Sequence, residues 1–275
     1  MKLISSRDNP LYKELKSLAG SAQARRKAGR SLLDGVHLCE SFLQYAGQPA
    51  LCVIGVSALQ HVEAAAILAQ CEDGGASCIQ LPDALFHALS QVENGVDILF
   101  VIETPEPGGT KALNESAVLL DNLQDPGNLG SILRSAAAAG VRQVYCSEGC
   151  VAAWSPKVLR AGMGAHFLLE IVENADLRSL LEAASVPILA TSSHAGATVY
   201  EHDLRQDVAW LFGHEGQGVS PELLEMATHR VAIPHLGNVE SLNVAACAAV
   251  CFFEQVRQKL GTANSLLRDD SWRTP

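Results

Sequence analysis

Three separated segments carry side chains whose types and spacing can do chemistry. They are Asp121–Arg134 (D-N-L-Q-D-P-G-N-L-G-S-I-L-R), Leu211–Gly218 (L-F-G-H-E-G-Q-G) and Ile233–Val244 (I-P-H-L-G-N-V-E-S-L-N-V). Each follows or ends an apolar run of strand type, breaks at Gly or Pro, and leads into a helix-like stretch. Polar side chains then fall where a strand hands over to a loop or helix: Asn128 and Arg134, Glu215, and Ser241 with Asn243. In open α/β folds that edge is where ligands bind. Any one segment alone is an ordinary βα turn, since Gly and Pro punctuate many of them. The three together, in this order, are harder to explain as turns.

In the first segment Asp125-Pro126-Gly127 forces a tight turn, and a helix is expected from Gly130 to Ala139. Asn128 sits near its start and Arg134 four residues in. A helix N-terminus with an Arg beside it is a ready phosphate site. A structural ion pair is the plain alternative for Arg134. Gly213, Gly216 and Gly218 permit close backbone approach, so main-chain groups of such loops can wrap an adenosine. Glu215 among them reads equally well as a helix-capping carboxylate. N-capping of the last helix explains Ser241 or Asn243, but not both.

Other chemistries are disfavoured. The chain has no G-x-x-x-x-G-K-[ST] loop and no G-x-G-x-x-G after a first strand. It has no G-x-S-x-G elbow, which argues against a hydrolase as the missing Gly-rich fingerprint argues against a Rossmann-like reductase. The eight cysteines include no CxxC pair. Cys146 and Cys150 stand four apart without partners at metal spacing, so no metal site is expected. Buried free thiols in a reducing cytoplasm are the simpler account.

The elements that must position these residues alternate. Residues 6–30 read as one basic helix, with Leu11, Leu15 and Leu18 at helical spacing. Strands at 51–56, 77–81 and 97–102, and helices at 61–70 and 82–89, follow a strand and helix from Leu32, making one α/β unit. Residues 104–113, rich in Pro and Gly, read as a linker. The expected domains are therefore 1–103 and 114–275. In the second, strands at 117–120, 141–146, 167–172, 187–190, 208–212 and 230–233 alternate with helices at 130–139, 156–163, 177–184, 221–226 and 244–260. That alternation implies a largely parallel sheet covered on both faces. The end, 267–275, reads as frayed.

Of 275 residues 48% are apolar, enough for a real core, and no apolar run reaches the roughly 18 residues that span a bilayer. No membrane partner is expected. The net charge of −10 argues against nucleic acid, but its distribution argues the other way. Residues 1–30 hold eight Lys or Arg (Lys2, Arg7, Lys13, Lys16, Arg25, Arg26, Lys27, Arg30) against Asp8 and Glu14. Residues 31–110 hold no Lys or Arg and ten Asp or Glu. A basic arm on an acidic body reads as an electrostatic footprint for phosphate, and a solvated basic helix is the alternative.

The motifs N-x-G-x-x-x-R (Asn128, Gly130, Arg134), L-x-G-x-E-x-x-G (Leu211–Gly218) and I-P-x-x-G-x-x-x-S-L-N-V (Ile233–Val244) resemble those of the SpoU/TrmH branch of the SPOUT methyltransferases. The likeness runs over residues 117–260 and includes S-P-K-V-L-R-A-G-M-G-A at Ser155–Ala165. Residues 5–103, with G-V-H-L-C-E-S-F-L, resemble the substrate-binding domain that precedes the catalytic one in many members. The resemblance implies methyl transfer from S-adenosylmethionine, without a metal, to a ribose 2′-OH of RNA. Ribosomal RNA is the expected target, with transfer RNA or a non-catalytic RNA-binding assembly factor as alternatives. It also implies a SPOUT-type α/β domain with a deep C-terminal trefoil knot, an exception to the rarity of knots, and a homodimer that shares its active site. It assigns donor binding to Thr191, Gly213, Ile233 and Leu242, and catalysis to Asn128, Arg134, Glu215, Ser241 and Asn243. His235 departs from the Met usual there and is expected to line the donor pocket. A guanidinium holds its protons, so Arg134 is expected to position phosphate and 2′-oxygen, with the proton passing to water or Glu215.

Overall fold

The computed structural model describes residues 1–92, 95–106 and 112–262. The middle of the expected linker, 107–111, and the end expected to fray, 267–275, lie outside the described residues. The chain divides into two compact units, Met1–Glu106 with Trp154–Leu168, and Pro107–Ala153 with Leu169–Pro275.

The first unit is built on five strands, β1 (Lys2–Leu3), β2 (Arg30–Asp34), β3 (Leu51–Gly55), β4 (Ser77–Leu81) and β5 (Ile98–Glu103), in the order β1-β4-β3-β5-β2. β1, β4 and β3 are parallel, and β5 runs antiparallel to both β3 and β2. Its helices are α1 (Pro10–Gly20), α2 (Ala22–Ala28), α3 (Val36–Tyr45), α4 (Val62–Asp73) and the short α5 (Asp83–Phe86). The helix expected over 6–30 is thus two helices. Asn9 caps α1 and Ser21 caps α2, each by accepting a backbone N–H, and Ser21 itself is extended. The apolar stripe explains the break. Tyr12, Leu15 and Leu18 are buried with Leu32, Val53 and Val101, whereas no residue of α2 is buried. No buried side chain holds the second helix in line with the first; Arg25 instead ties it to the end of α1, donating to the Leu18 carbonyl at 2.7 Å.

The second unit begins with β6 (Ala117–Leu120), α6 (Pro126–Ala138) and β7 (Gln143–Cys146). The helix α7 (Pro156–Gly162) and the 3₁₀ turn Ala165–Leu168 then pack with the first unit. This corrects the expected division, which gave them to 114–275. The Phe167 ring stands edge-on to Phe42 at 5.3 Å, which fixes the turn there and delays the strand expected from 167 until β8 (Glu170–Val172). The rest is α8 (Leu177–Glu182), β9 (Ile188–Thr191), β10 (Ala197–Thr198), β11 (Ala209–Phe212), α9 (Pro221–Met226), β12 (His229–Ala232) and α10 (Val244–Thr262). The seven strands are all parallel, in the order β10-β12-β9-β11-β6-β7-β8. Every residue of β6, β7 and β11 is buried, as expected of strands covered on both faces.

The order places β6 between β7 and β11. The chain leaves β6 toward β7, and later returns to fill the other side, so the carboxyl ends of β6 and β11 form a topological switch point. Packing from α10 holds that edge. Phe252 meets Phe212 edge-on at 5.6 Å, and the buried Trp210 donates to Gln255 Oε1 at 3.0 Å. Full burial of a side chain such as Phe252 contributes about 2 kcal/mol.

Candidate active site

At the switch point the first two motifs are joined through one carboxylate. Asp121 N–H donates to the Phe212 carbonyl at 2.8 Å, which ties the end of β6 to the end of β11. Glu215 Oε1 accepts the Asp125 N–H at 2.8 Å and the Asn128 side-chain amide at 3.1 Å, and its Oε2 accepts the Gln124 N–H at 3.2 Å. Burial pushes the Glu215 carboxyl up, but the hydrogen bonds from Asp125, Asn128 and Gln124 outweigh it and hold it below the usual glutamate range. The group is ionised at neutral pH, and donors already occupy both oxygens. It is a poor base, which weighs against Glu215 as the proton acceptor.

The third motif joins the same network. Asn243 Nδ2 donates to Asn128 Oδ1 at 2.8 Å. The carboxylate orients the whole chain of groups. It accepts only, so Asn128 turns its NH₂ toward Glu215 and its oxygen toward Asn243. The Asn243 oxygen is then free to cap α10, accepting the Ala245 N–H at 2.9 Å. The N-cap alternative for Asn243 is therefore correct and coexists with its place in the site. Ser241 makes no such cap.

The helix bearing Asn128 starts at Pro126, not Gly130, because Asp125 accepts the Asn128 N–H and Pro126 suits the first turn. Arg134 is consequently eight residues past the first helical position, about 12 Å along the axis. The expectation of four residues is corrected. Helical side chains lean toward the N-terminus, so the guanidinium still leans toward the site end. Arg134 is exposed and has no hydrogen bond or ion pair with any described residue, which removes the structural ion pair as its explanation.

Beside this network lies a cavity of about 520 Å³. Thr191, Gly213, Ile233 and Leu242 all line it, together with Ser241 and Glu215. His235 lines it too, as expected of that departure. Gly213 is required on steric grounds: a Cβ there would lie 2.1 Å from the Gly218 carbonyl carbon and the Val219 nitrogen. The loop folds back on itself, with Gly218 at φ +72°. Asn128, Arg134 and Asn243 do not line the cavity.

The sequence did not disclose the bracing groups. Asp121 Oδ2 accepts the Ser220 N–H at 2.8 Å, and Ser147 Oγ accepts the Asn122 N–H at 2.9 Å. Cys150 Sγ accepts the Leu123 N–H at 3.3 Å, so this thiol braces the site loop. Hydrogen bonding from Cys146, opposed by burial and helped by Ser147 and the Leu123 N–H, lowers the Cys150 thiol to about 7. Their spacing after a strand was the one visible signal.

A model described as the SpoU rRNA Methylase family matches residues 115–253, half of the chain. The chain belongs to that family. Among its SpoU relatives, an uncharacterised tRNA/rRNA methyltransferase of Synechocystis sp. is 36% identical over 93% of this chain and 94% of its own length. The 23S rRNA (guanosine(2553)-2′-O)-methyltransferase RlmP of Bacillus subtilis is 32% identical over 92% of this chain and 98% of its own. A crystal structure of an RNA 2′-O ribose methyltransferase, 30% identical, superposes with a TM-score of 0.80 over 94% of this chain and 99% of that one. The SpoU methyltransferase AviRb of Streptomyces viridochromogenes in complex with AdoMet, at 24% identity and a TM-score of 0.82, shares the fold.

Proposed function

We propose that this SpoU family chain transfers the methyl group of S-adenosylmethionine to a ribose 2′-OH of RNA, with ribosomal RNA the first choice. The observation that carries the reading is the Glu215–Asn128–Asn243 chain of hydrogen bonds at the rim of the cavity lined by Thr191, Gly213, Ile233 and Leu242. The printed activities of RlmP and of the superposed 2′-O methyltransferase support it. The cavity residues suit S-adenosylmethionine: glycine backbone for the adenosine and apolar Ile233 and Leu242 beside it. When bound, the sulfonium supplies an electrophilic methyl carbon. Asn128, Glu215 and Asn243 hold the loops in register, and Arg134 and Ser241 face the RNA ribose. Arg134 stabilises negative charge as it develops on the 2′-oxygen, and the proton leaves to water. Calorimetry with S-adenosylhomocysteine, paired with methyl transfer to ribosomal and transfer RNA, tests the reading. Absence of donor binding sinks it, donor-free RNA binding favours an assembly factor, and transfer to tRNA alone changes the substrate.

The reading includes a trefoil knot in 114–275 and the cytoplasm as compartment. The return of the chain after loop 233–243 to pack α10 against α6 supports the knot. It also includes a homodimer. An apolar patch on α10 supports this, formed by Ala246, Val250 and Phe253, with Phe253 49% exposed. A two-fold interface needs one such self-complementary patch. Phe253→Arg is therefore expected to sediment as a monomer at micromolar concentration and to lose methyl transfer with the dimer. A dimer that persists at full activity puts the interface elsewhere.

RNA is held, in this reading, by residues 1–103, through their basic end. Arg7, Lys13 and Lys16 line a cavity of about 390 Å³ together with Tyr12, and no acidic residue lines it. Lys13 pairs with exposed Asp8 at 3.0 Å, whereas Arg7 and Lys16 have no ion pair among the described residues. Replacing Arg7 and Lys16 together by Ala is expected to weaken RNA binding and to lower the slope of log K against log salt by about 2. Donor affinity stays unchanged. An unaltered slope moves the grip away from Arg7 and α1.

A further inference from the structure

The pattern L-x-G-x-E-x-x-G leaves position 214 open, yet His214 is the residue around which the loop is wound. Its backbone is bridged to Gly218 both ways, His214 N–H to the Gly218 carbonyl at 3.0 Å and Gly218 N–H to the His214 carbonyl at 2.8 Å. Its ring reaches back into the turn. Nδ1 accepts the Gly216 N–H at 3.0 Å and the Gln217 N–H at 3.2 Å. An imidazole nitrogen accepts only with its lone pair free, so these two donors place the ring proton on Nε2. His214 also stands on the wall of the 520 Å³ cavity, between Gly213 and Glu215. One side chain thus fills a turn that contains Gly216 and Gly218, beside Glu215, which ties the same loop to the first motif.

We propose that His214 is a positioning residue for the methyl donor: its Nδ1 lone pair gives the Gly213–Gly218 loop the shape that the donor cavity requires. This rests on the reading of the cavity as an S-adenosylmethionine site. Without the acceptor, the Gly216 and Gln217 N–H groups turn to water, and a glycine-rich loop gains backbone freedom. That freedom is lost again when the donor binds. The effect is therefore read directly on donor affinity. Asn is the informative replacement, because its Oδ1, like Nδ1, is bonded to Cγ and accepts without a proton.

S-adenosylhomocysteine affinity is measured for wild type, His214→Ala and His214→Asn, with single-turnover methylation at saturating donor. His214→Ala is expected to bind about tenfold more weakly, a difference of about 1.4 kcal/mol. His214→Asn restores affinity to within about threefold of wild type, and its turnover at saturating donor lies nearer to wild type than that of His214→Ala. Alanine at wild-type affinity, or asparagine as weak as alanine, overturns the assignment. The ¹⁵N shifts of the ring in the wild-type protein add an arm that needs no variant: Nδ1 must be unprotonated and Nε2 protonated, and the reverse tautomer overturns it. A wild type that binds no S-adenosylhomocysteine while its ring shows this tautomer sinks the donor reading and leaves the loop geometry standing.

Discussion

Arg134→Ala is expected to reduce single-turnover methyl transfer by at least about a hundredfold, some 2.7 kcal/mol in barrier, while S-adenosylhomocysteine binds as before. The two effects separate because of where Arg134 sits. The cavity assigned to the donor is lined by the loops after β9, β11 and β12, and Arg134 is not among its walls. It stands on the exposed face of α6, without a hydrogen bond or ion pair to any described residue. Truncating it removes no internal contact, so the thermal midpoint stays close to wild type, as for ordinary surface positions. A solvated, partnerless guanidinium leaning toward the site end is free to meet phosphate and 2′-oxygen. Arg134→Lys is expected to fail as well, since an ammonium does not reproduce a planar fork. Activity within about threefold of wild type, roughly 0.7 kcal/mol, means that Arg134 does not face the reacting oxygen. A large fall in thermal stability without loss of turnover means that it has a structural partner after all.

The strands of both sheets were legible because buried parallel strands write themselves as short apolar runs. Leu51–Gly55, Ala117–Leu120 and Ala209–Phe212 are such runs, and the structure places strands there. The two-residue strands β1 and β10 were not, since they exist only by pairing with β4 and β12 and carry no pattern of their own. The break at Ser21 was invisible to helical spacing, which ends with α1. In the site, the motifs named Asn128, Glu215 and Asn243, but not that they touch. Asn128 lies 87 residues from Glu215 and 115 from Asn243, and only the sheet order brings them together. Bracing by Asp121, Ser147 and Cys150 was hidden for the same reason. Arg134 shows the opposite error. Spacing alone put it near the helix start, because the cap at Asp125 was not recognised as the true beginning.

Glu215→Gln tests whether the network itself is the machinery. The carboxylate takes donors on both oxygens: the Asp125 N–H and Asn128 NH₂ on one, the Gln124 N–H on the other. Gln offers one acceptor and one NH₂. Wherever the NH₂ points, it faces an N–H, and at least one donor of the loop loses its partner. The expected cost is about 1 kcal/mol of stability at neutral pH, of the size of one net hydrogen bond. Methyl transfer should fall further, by roughly a hundredfold, because misplacing reacting groups by about 1 Å costs that much. The pH dependence has a definite sign. Hydrogen bonding holds the folded carboxyl below the usual glutamate value, so its contribution is present in full above that value, about 4.3. It is lost as pH falls through the lower folded value. The stability gap between wild type and Glu215→Gln should therefore be flat from pH 6 to 8 and narrow only beneath about 4.3. Chemical denaturation at stepped pH reads this gap, and single-turnover methylation at neutral pH reads the site. A gap that widens as pH falls from 8 to 6 shows a raised carboxyl, a group fit to act as a base, and returns Glu215 to the list of proton acceptors. A fully active Gln variant shows that the three loops find their register without the carboxylate.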